Sequence, residues 1–71
     1  MVVSCIAHIS QVADLYRRLD GVRCSSIYEE TISNDETLLA IRADNPLQAR
    51  QIGGMLYRAG ALEVDIDEEA A

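Results

Sequence analysis

The chain of 71 residues contains no phenylalanine and no tryptophan, and its six basic residues are all arginine. No stretch approaches the ~20 apolar residues that a membrane-spanning helix needs. The apolar residues 1–9 lack a basic start and are too short for a secretory signal. These absences predict a cytoplasmic protein with no membrane partner, and the length suits a single domain.

Acidic residues outnumber basic ones, and the formal net charge is −6. Five of the twelve acids lie between positions 63 and 69, so the rest of the chain carries seven acids against six bases. An acidic end repels phosphate backbones, which argues against a nucleic-acid partner. The acidic run also lacks the glycine turn and the ligand spacing of a calcium loop. We therefore predict no metal and no cofactor, one domain over residues 1–67, and a solvated acidic tail over residues 68–71.

Cysteine is scarce, because Cys5 and Cys24 are the only two. Their spacing excludes a CxxC site, and in a reducing compartment thiols stay unpaired. We expect both to be reduced and at least partly buried as small core residues. A disulfide between them is the alternative.

Apolar residues recur with the period of a strand or of a helix and divide the chain into six elements. In order, these are a strand at 2–9, a helix between Ser10 and Gly21, a strand at 22–32, a strand at 37–43, a helix between Asn45 and Gly60, and a strand at 62–66. Ser10 and Asn45 are the predicted helix caps, and the polar residues 33–36 form the turn of a hairpin.

This β-α-β-β-α-β order predicts a ferredoxin-like α+β fold, with a four-stranded antiparallel sheet and both helices on one face. Gly53-Gly54 is unusual inside a helix, where each glycine costs about 1 kcal/mol relative to alanine. Either the helix bends there or another element packs closely against it.

Alternation along the strands predicts an apolar centre for the sheet face without helices, and we expect that face to be weakly charged. The predicted interface residues are Ile6, Ile27, Leu38 and Ala40. An apolar open face favours a covered surface, and so short a chain gains from extra burial. We therefore expect a non-enzymatic module that self-associates, as a homodimer, or docks on another protein.

Two other classes of function stay open. A small-ligand-sensing regulatory domain would hold its ligand near His8, Tyr57 and Arg58, and an enzyme would need polar residues on the open face, where only His8 and Arg42 are candidates. Metal chaperones of this shape carry paired cysteines in the first loop, but the first loop here, residues 8–11, contains no cysteine. RNA readers of this shape stack bases on aromatic residues of the central strands, which are also absent.

Residues 37–46, followed by 49–50, 59–61 and 64–66, combine an apolar strand, a "D-x-P" helix start and a final "aGA-x-x-V-x-I" strand. This closing half resembles that of small bacterial heat-induced and general stress proteins. The first half lacks the glycine-rich phrase that those proteins carry after the first helix. The resemblance implies a ferredoxin-like ending and a non-enzymatic stress or accessory role, and it transfers no functional residues.

Overall fold

The structure is a computed structural model that describes residues 1–22 and 26–67. Its elements are β1 (Val2–His8), a single 3-10 turn (Ile9–Gln11), α1 (Val12–Asp20), β2 (Ile27–Thr31), β3 (Glu36–Arg42), α2 (Pro46–Arg58) and β4 (Glu63–Asp67). The four strands form one open antiparallel sheet in the order β2-β3-β1-β4. The predicted α+β class is confirmed. Cys24 and the predicted tail 68–71 lie outside the described residues.

The hydrophobic core lies between the two helices and one face of the sheet. Along β1 and β3 every second residue is buried, as the period of a strand requires. The strands contribute Val3, Cys5, Ala7, Thr37, Leu39 and Ile41, and the helices contribute Leu15, Leu19, Ala49, Ile52 and Leu56. Since residues of α1 and α2 share one core cluster with the same strand residues, the opposite face of the sheet is left without helices.

The connection from β1 into α1 differs from the prediction, because Ser10 does not cap the helix. The chain first makes the 3-10 turn, whose cap is His8: its Nδ1 accepts a hydrogen bond from the Ser10 backbone N–H at 3.2 Å. The Gln11 side chain returns a bond by accepting from the His8 N–H at 3.0 Å. These reciprocal bonds form a capping box on the turn and leave α1 to begin at Val12 without a side-chain cap.

The start of α2 is confirmed. Asn45 accepts a hydrogen bond from the Gln48 N–H at 2.8 Å, and Pro46 occupies the first turn, where its missing N–H costs nothing. The helix runs through Gly53-Gly54 without a break. A Cβ on Gly53 would lie 3.3 Å from Cδ1 of Ile66 on β4, so close packing, rather than a bend, accounts for this glycine.

The two edge strands correct three predictions. β2 starts at Ile27 rather than at residue 22, and its register pairs Ile27 with the buried Ile41, which places Ile27 on the helix-covered face. The prediction that Ile27 lies on the open face is therefore wrong; Tyr28, the next residue, lies on the open face instead. β4 starts at Glu63 rather than at Leu62, which the predicted strand 62–66 included and which is exposed, whereas Val64 is partly buried.

Neither helix in the described part of the chain has the length and apolar character needed to cross a membrane.

Candidate functional site

The open face of the sheet has an apolar centre. Its middle is formed by side chains of β1 and β3, where Ile6 pairs with Leu38 and Ser4 pairs with Ala40. Val2 continues the row along β1. All five residues are half-buried by their strand neighbours. We call Val2, Ile6, Leu38 and Ala40 the apolar strip; of the four predicted interface residues, Ile6, Leu38 and Ala40 belong to it.

Acidic side chains border the apolar strip on both sides. On β2, Glu30 pairs with Leu38, and on β4, Glu63 pairs with Ile6. Asp65 pairs with Ser4 one row further along β4. Strands lie about 4.8 Å apart, so Glu30 and Glu63 stand about 14 Å from each other across the sheet. We call Glu30, Glu63 and Asp65 the acidic flanks.

The expectation of a weakly charged open face is wrong. Glu36, which pairs with His8, and Asp67, which pairs with Val2, add two more acids to this side. Among its described residues the face carries five carboxylates and one guanidinium, that of Arg42. Residues 63–67 alternate acidic with apolar side chains, and their pairing with β1 brings the three carboxylates onto the open face.

Tyr28 extends the apolar surface toward β2. It pairs with Ala40, is 59% exposed, and its hydroxyl donates to the Glu30 carboxylate at 3.3 Å. Tyr28 was not among the predicted interface residues. Its separation from Glu30 by two residues, which is the period of one strand face, was the available signal.

The structure does not assemble the candidate ligand residues His8, Tyr57 and Arg58 into a site. His8 Nδ1 is engaged by Ser10, with the Ser10 hydroxyl at 2.7 Å. Tyr57 is 75% exposed, and Arg58 is the last residue of α2. Within residues 1–22 and 26–67, no hydrogen bond or ion pair joins His8 to either of them.

Two concave regions lie elsewhere. A groove of about 440 Å³ separates the N-terminal half of α2 from β4, and it is lined by Met1, Pro46, Ala49, Arg50, Asp65, Ile66 and Asp67. A smaller depression of about 180 Å³ lies on the open face and is lined by Ser4, Cys5, Ile6, Leu38, Glu63 and Asp65. The second is bounded by the apolar strip and the acidic flanks, so the open face is not flat.

Cys5 is a free thiol and only 2% exposed. Burial raises its pKa above the ordinary value, and a hydrogen bond with the backbone of Leu39 offsets part of that effect. A protonated, buried thiol is a poor nucleophile, so Cys5 acts as a core residue, as predicted. Among the residues described, no three histidine, cysteine or acidic side chains are grouped so as to hold a metal ion.

The chain matches no family model, no curated protein and no solved structure. The geometry of the open face is therefore the basis for the functional argument.

Proposed function

We propose that this protein is a non-enzymatic interaction module that docks on a partner protein through the open face of its sheet. The observation that carries the proposal is the apolar strip on the two central strands, which neither helix covers. The other face of the same strands is fully packed by α1 and α2. An apolar surface with a polar border is typical of protein interaction sites.

The energetics of the apolar strip suit a reversible complex. Covering a few hundred Å² of apolar surface at about 25 cal/mol/Å² contributes several kcal/mol before the cost of association is subtracted. Part of each side chain in the apolar strip is already buried by its neighbours, so the gain stays at the modest end. Self-association through the same face is the second form of the proposal.

The proposal also includes a ferredoxin-like fold, a cytoplasmic location and an accessory role in stress. The order of the elements along the chain and the strand order β2-β3-β1-β4 support a ferredoxin-like assignment. Such folds host many unrelated activities, so the assignment does not determine the function. A cytoplasmic location and an accessory role in stress remain predictions, the first supported by the free thiol of Cys5.

Light scattering over a concentration series tests whether the open face is adhesive. At about 1 M NaCl the Debye length is only ~3 Å, so repulsion between acidic flanks is screened and copies should associate through the apolar strip. Leu38→Glu should keep the mass at that of a monomer. Leu47→Glu is the matched control, because Leu47 is exposed on α2, away from the sheet face.

A parent chain that remains monomeric at every concentration in high salt contradicts the proposal. So does a Leu38→Glu variant that associates as strongly as the parent does. Circular dichroism on each variant establishes that its fold is retained.

A small-ligand-sensing role is the second candidate function, and the groove between α2 and β4 favours it. Its volume of about 440 Å³ lies within the ~300–1,000 Å³ range of ligand pockets. Arg50 supplies a cation at its wall, whereas the residues predicted for this role lie elsewhere. Thermal-shift screening with small carboxylates tests this candidate: a stabilisation that Arg50→Ala abolishes would support it, and no shift with any carboxylate would count against it.

A further inference from the structure

We infer that the segment of the partner that covers the open face is a short amphipathic helix with an apolar stripe and basic residues on both sides of the stripe. This inference rests on the proposed function and names the chemistry of its partner. Three features of the open face support it: the width between the acidic flanks, the length of the apolar strip and the sign of the charge around the strip.

The width of the site matches one helix. Glu30 and Glu63 border the apolar strip about 14 Å apart, since three strand spacings of ~4.8 Å separate β2 from β4. A helix with its side chains is about 10–12 Å in diameter. A single helix lying along β1 and β3 therefore fills the strip and brings its lateral residues beside both acidic flanks.

The length of the site sets the length of the helix. Val2 and Ile6 are four residues apart on β1, which is about 13 Å at ~3.3 Å per residue. A helix rises 1.5 Å per residue, so about nine residues, or two to three turns, span the apolar strip. The expected partner pattern is apolar at i, i+3, i+4 and i+7, with arginine or lysine on either side.

The charge of the site argues for a basic partner and against a second copy. A symmetric dimer through this face would stack two sheets about 10 Å apart, with their strands within roughly 30° of each other. Because the described residues of the face carry five carboxylates and one guanidinium, stacking would bring acidic flanks close to acidic flanks. A basic helix reverses the sign of that interaction. The exposed ring of Tyr28 also offers a cationic side chain a π-face beside Glu30.

Two synthetic peptides of about 14 residues serve as probes, with a leucine stripe at helical spacing and either lysine or glutamate at the lateral positions. Fluorescence anisotropy measures the binding of each to the full chain at about 0.05 M and 0.3 M salt. We expect the parent to bind the lysine peptide at least about tenfold more tightly than the glutamate peptide at low salt. The difference should shrink at the higher salt.

Reversing the charge of two residues of the acidic flanks tests whether these residues determine which of the two peptides binds more tightly. Glu30→Lys/Glu63→Lys should reverse the preference between the two peptides. Asp20→Lys/Asp35→Lys is the matched control: it changes the net charge equally at exposed sites on α1 and in the hairpin turn, and it should keep the preference of the parent. Leu38→Glu should weaken binding of the lysine peptide by about tenfold or more.

The outcomes separate this inference from the proposed function. Equal binding of both peptides, lost in Leu38→Glu, supports the adhesive face and overturns the basic partner. Failure of the parent to bind the lysine peptide at millimolar concentration also overturns the basic helix, while light scattering at high salt still decides the proposed function. A parent that dimerises through the open face at low salt shows that a second copy is the occupant instead.

Discussion

The adjacent glycines of α2 provide a test of how closely this helix packs on β4. Replacing a glycine inside a helix by alanine gains about 1 kcal/mol from helix propensity. At Gly54 the new Cβ would meet nothing closer than a guanidinium nitrogen of Arg58, 4.0 Å away. At Gly53 it would lie 3.3 Å from Cδ1 of Ile66, which is closer than two carbons prefer, and 3.7 Å from Cγ1 of the same residue, which is an ordinary contact.

We therefore expect Gly54→Ala to stabilise the protein by about 1 kcal/mol. Gly53→Ala should remain within about 0.5 kcal/mol of the parent, because displacing Ile66 offsets the helical gain. In a domain of this size, 1 kcal/mol corresponds to a rise in Tm of about 4–8 °C. Urea unfolding followed by circular dichroism supplies the free energies of unfolding.

A double-mutant cycle identifies the cause. Ile66→Val removes the Cδ1 atom, so in that background Gly53→Ala should recover most of the gain that Gly54→Ala shows in the parent. Equal gains at the two glycines in the parent, or no coupling between Gly53 and Ile66, would refute the close approach of β4 to α2.

Three further predictions concern the core, the surface and a helix cap. The thiol of Cys5 should react slowly with a thiol reagent in the folded protein and fully after unfolding; fast reaction in native buffer would contradict its burial. The Tyr16 hydroxyl donates a hydrogen bond to the Glu29 carboxylate at 2.7 Å, and this bond raises the pKa of Tyr16. The bond should therefore stabilise the fold below the ordinary tyrosine pKa of about 10, and this stabilisation should be lost as the pH rises through the higher pKa of the folded state. Tyr16→Phe should remove that part of the alkaline loss of stability in a pH series of urea melts, and an unchanged series would be evidence against the bond. Asn45→Ala should cost about 1 kcal/mol of unfolding free energy, whereas Asn45→Ser, which keeps a capping oxygen, should cost less; equal losses would mean that the cap contributes little.

The central strands were predictable from the sequence because the residues of their two faces differ in polarity. Along β1 and β3, one set of alternate residues is buried under the helices and is apolar apart from Thr37, whereas the other set is half-buried or exposed and mixes apolar with polar residues. β2 offered no such signal: its residues from Tyr28 to Thr31 are all exposed, and their polarity does not distinguish one face from the other. The side of Ile27 was therefore decided by its pairing with Ile41.

The charge of the open face was only partly predictable from the sequence. Glu63 and Asp65 alternate with Val64 and Ile66, which predicts a strand whose carboxylates point away from the core. The strand that they lie beside is not given by that alternation; the register of β4 against β1 places them next to Ile6 and Ser4. The capping of the 3-10 turn by His8 was missed similarly, since a serine followed by a helical pattern predicts a conventional cap at Ser10.

The positions of the acidic residues also bear on how this sheet avoids polymerising. β2 and β4 are the outermost strands, so each has one side whose backbone groups have no neighbouring strand. Such an edge can recruit the edge of another molecule and grow into a fibril, and charged side chains are a common safeguard against this. Here Glu29 and Glu30 lie on one edge, and Glu63, Asp65 and Asp67 lie on the other. Carboxylates that border the apolar strip on the open face therefore also guard both edges of the sheet against edge-to-edge assembly.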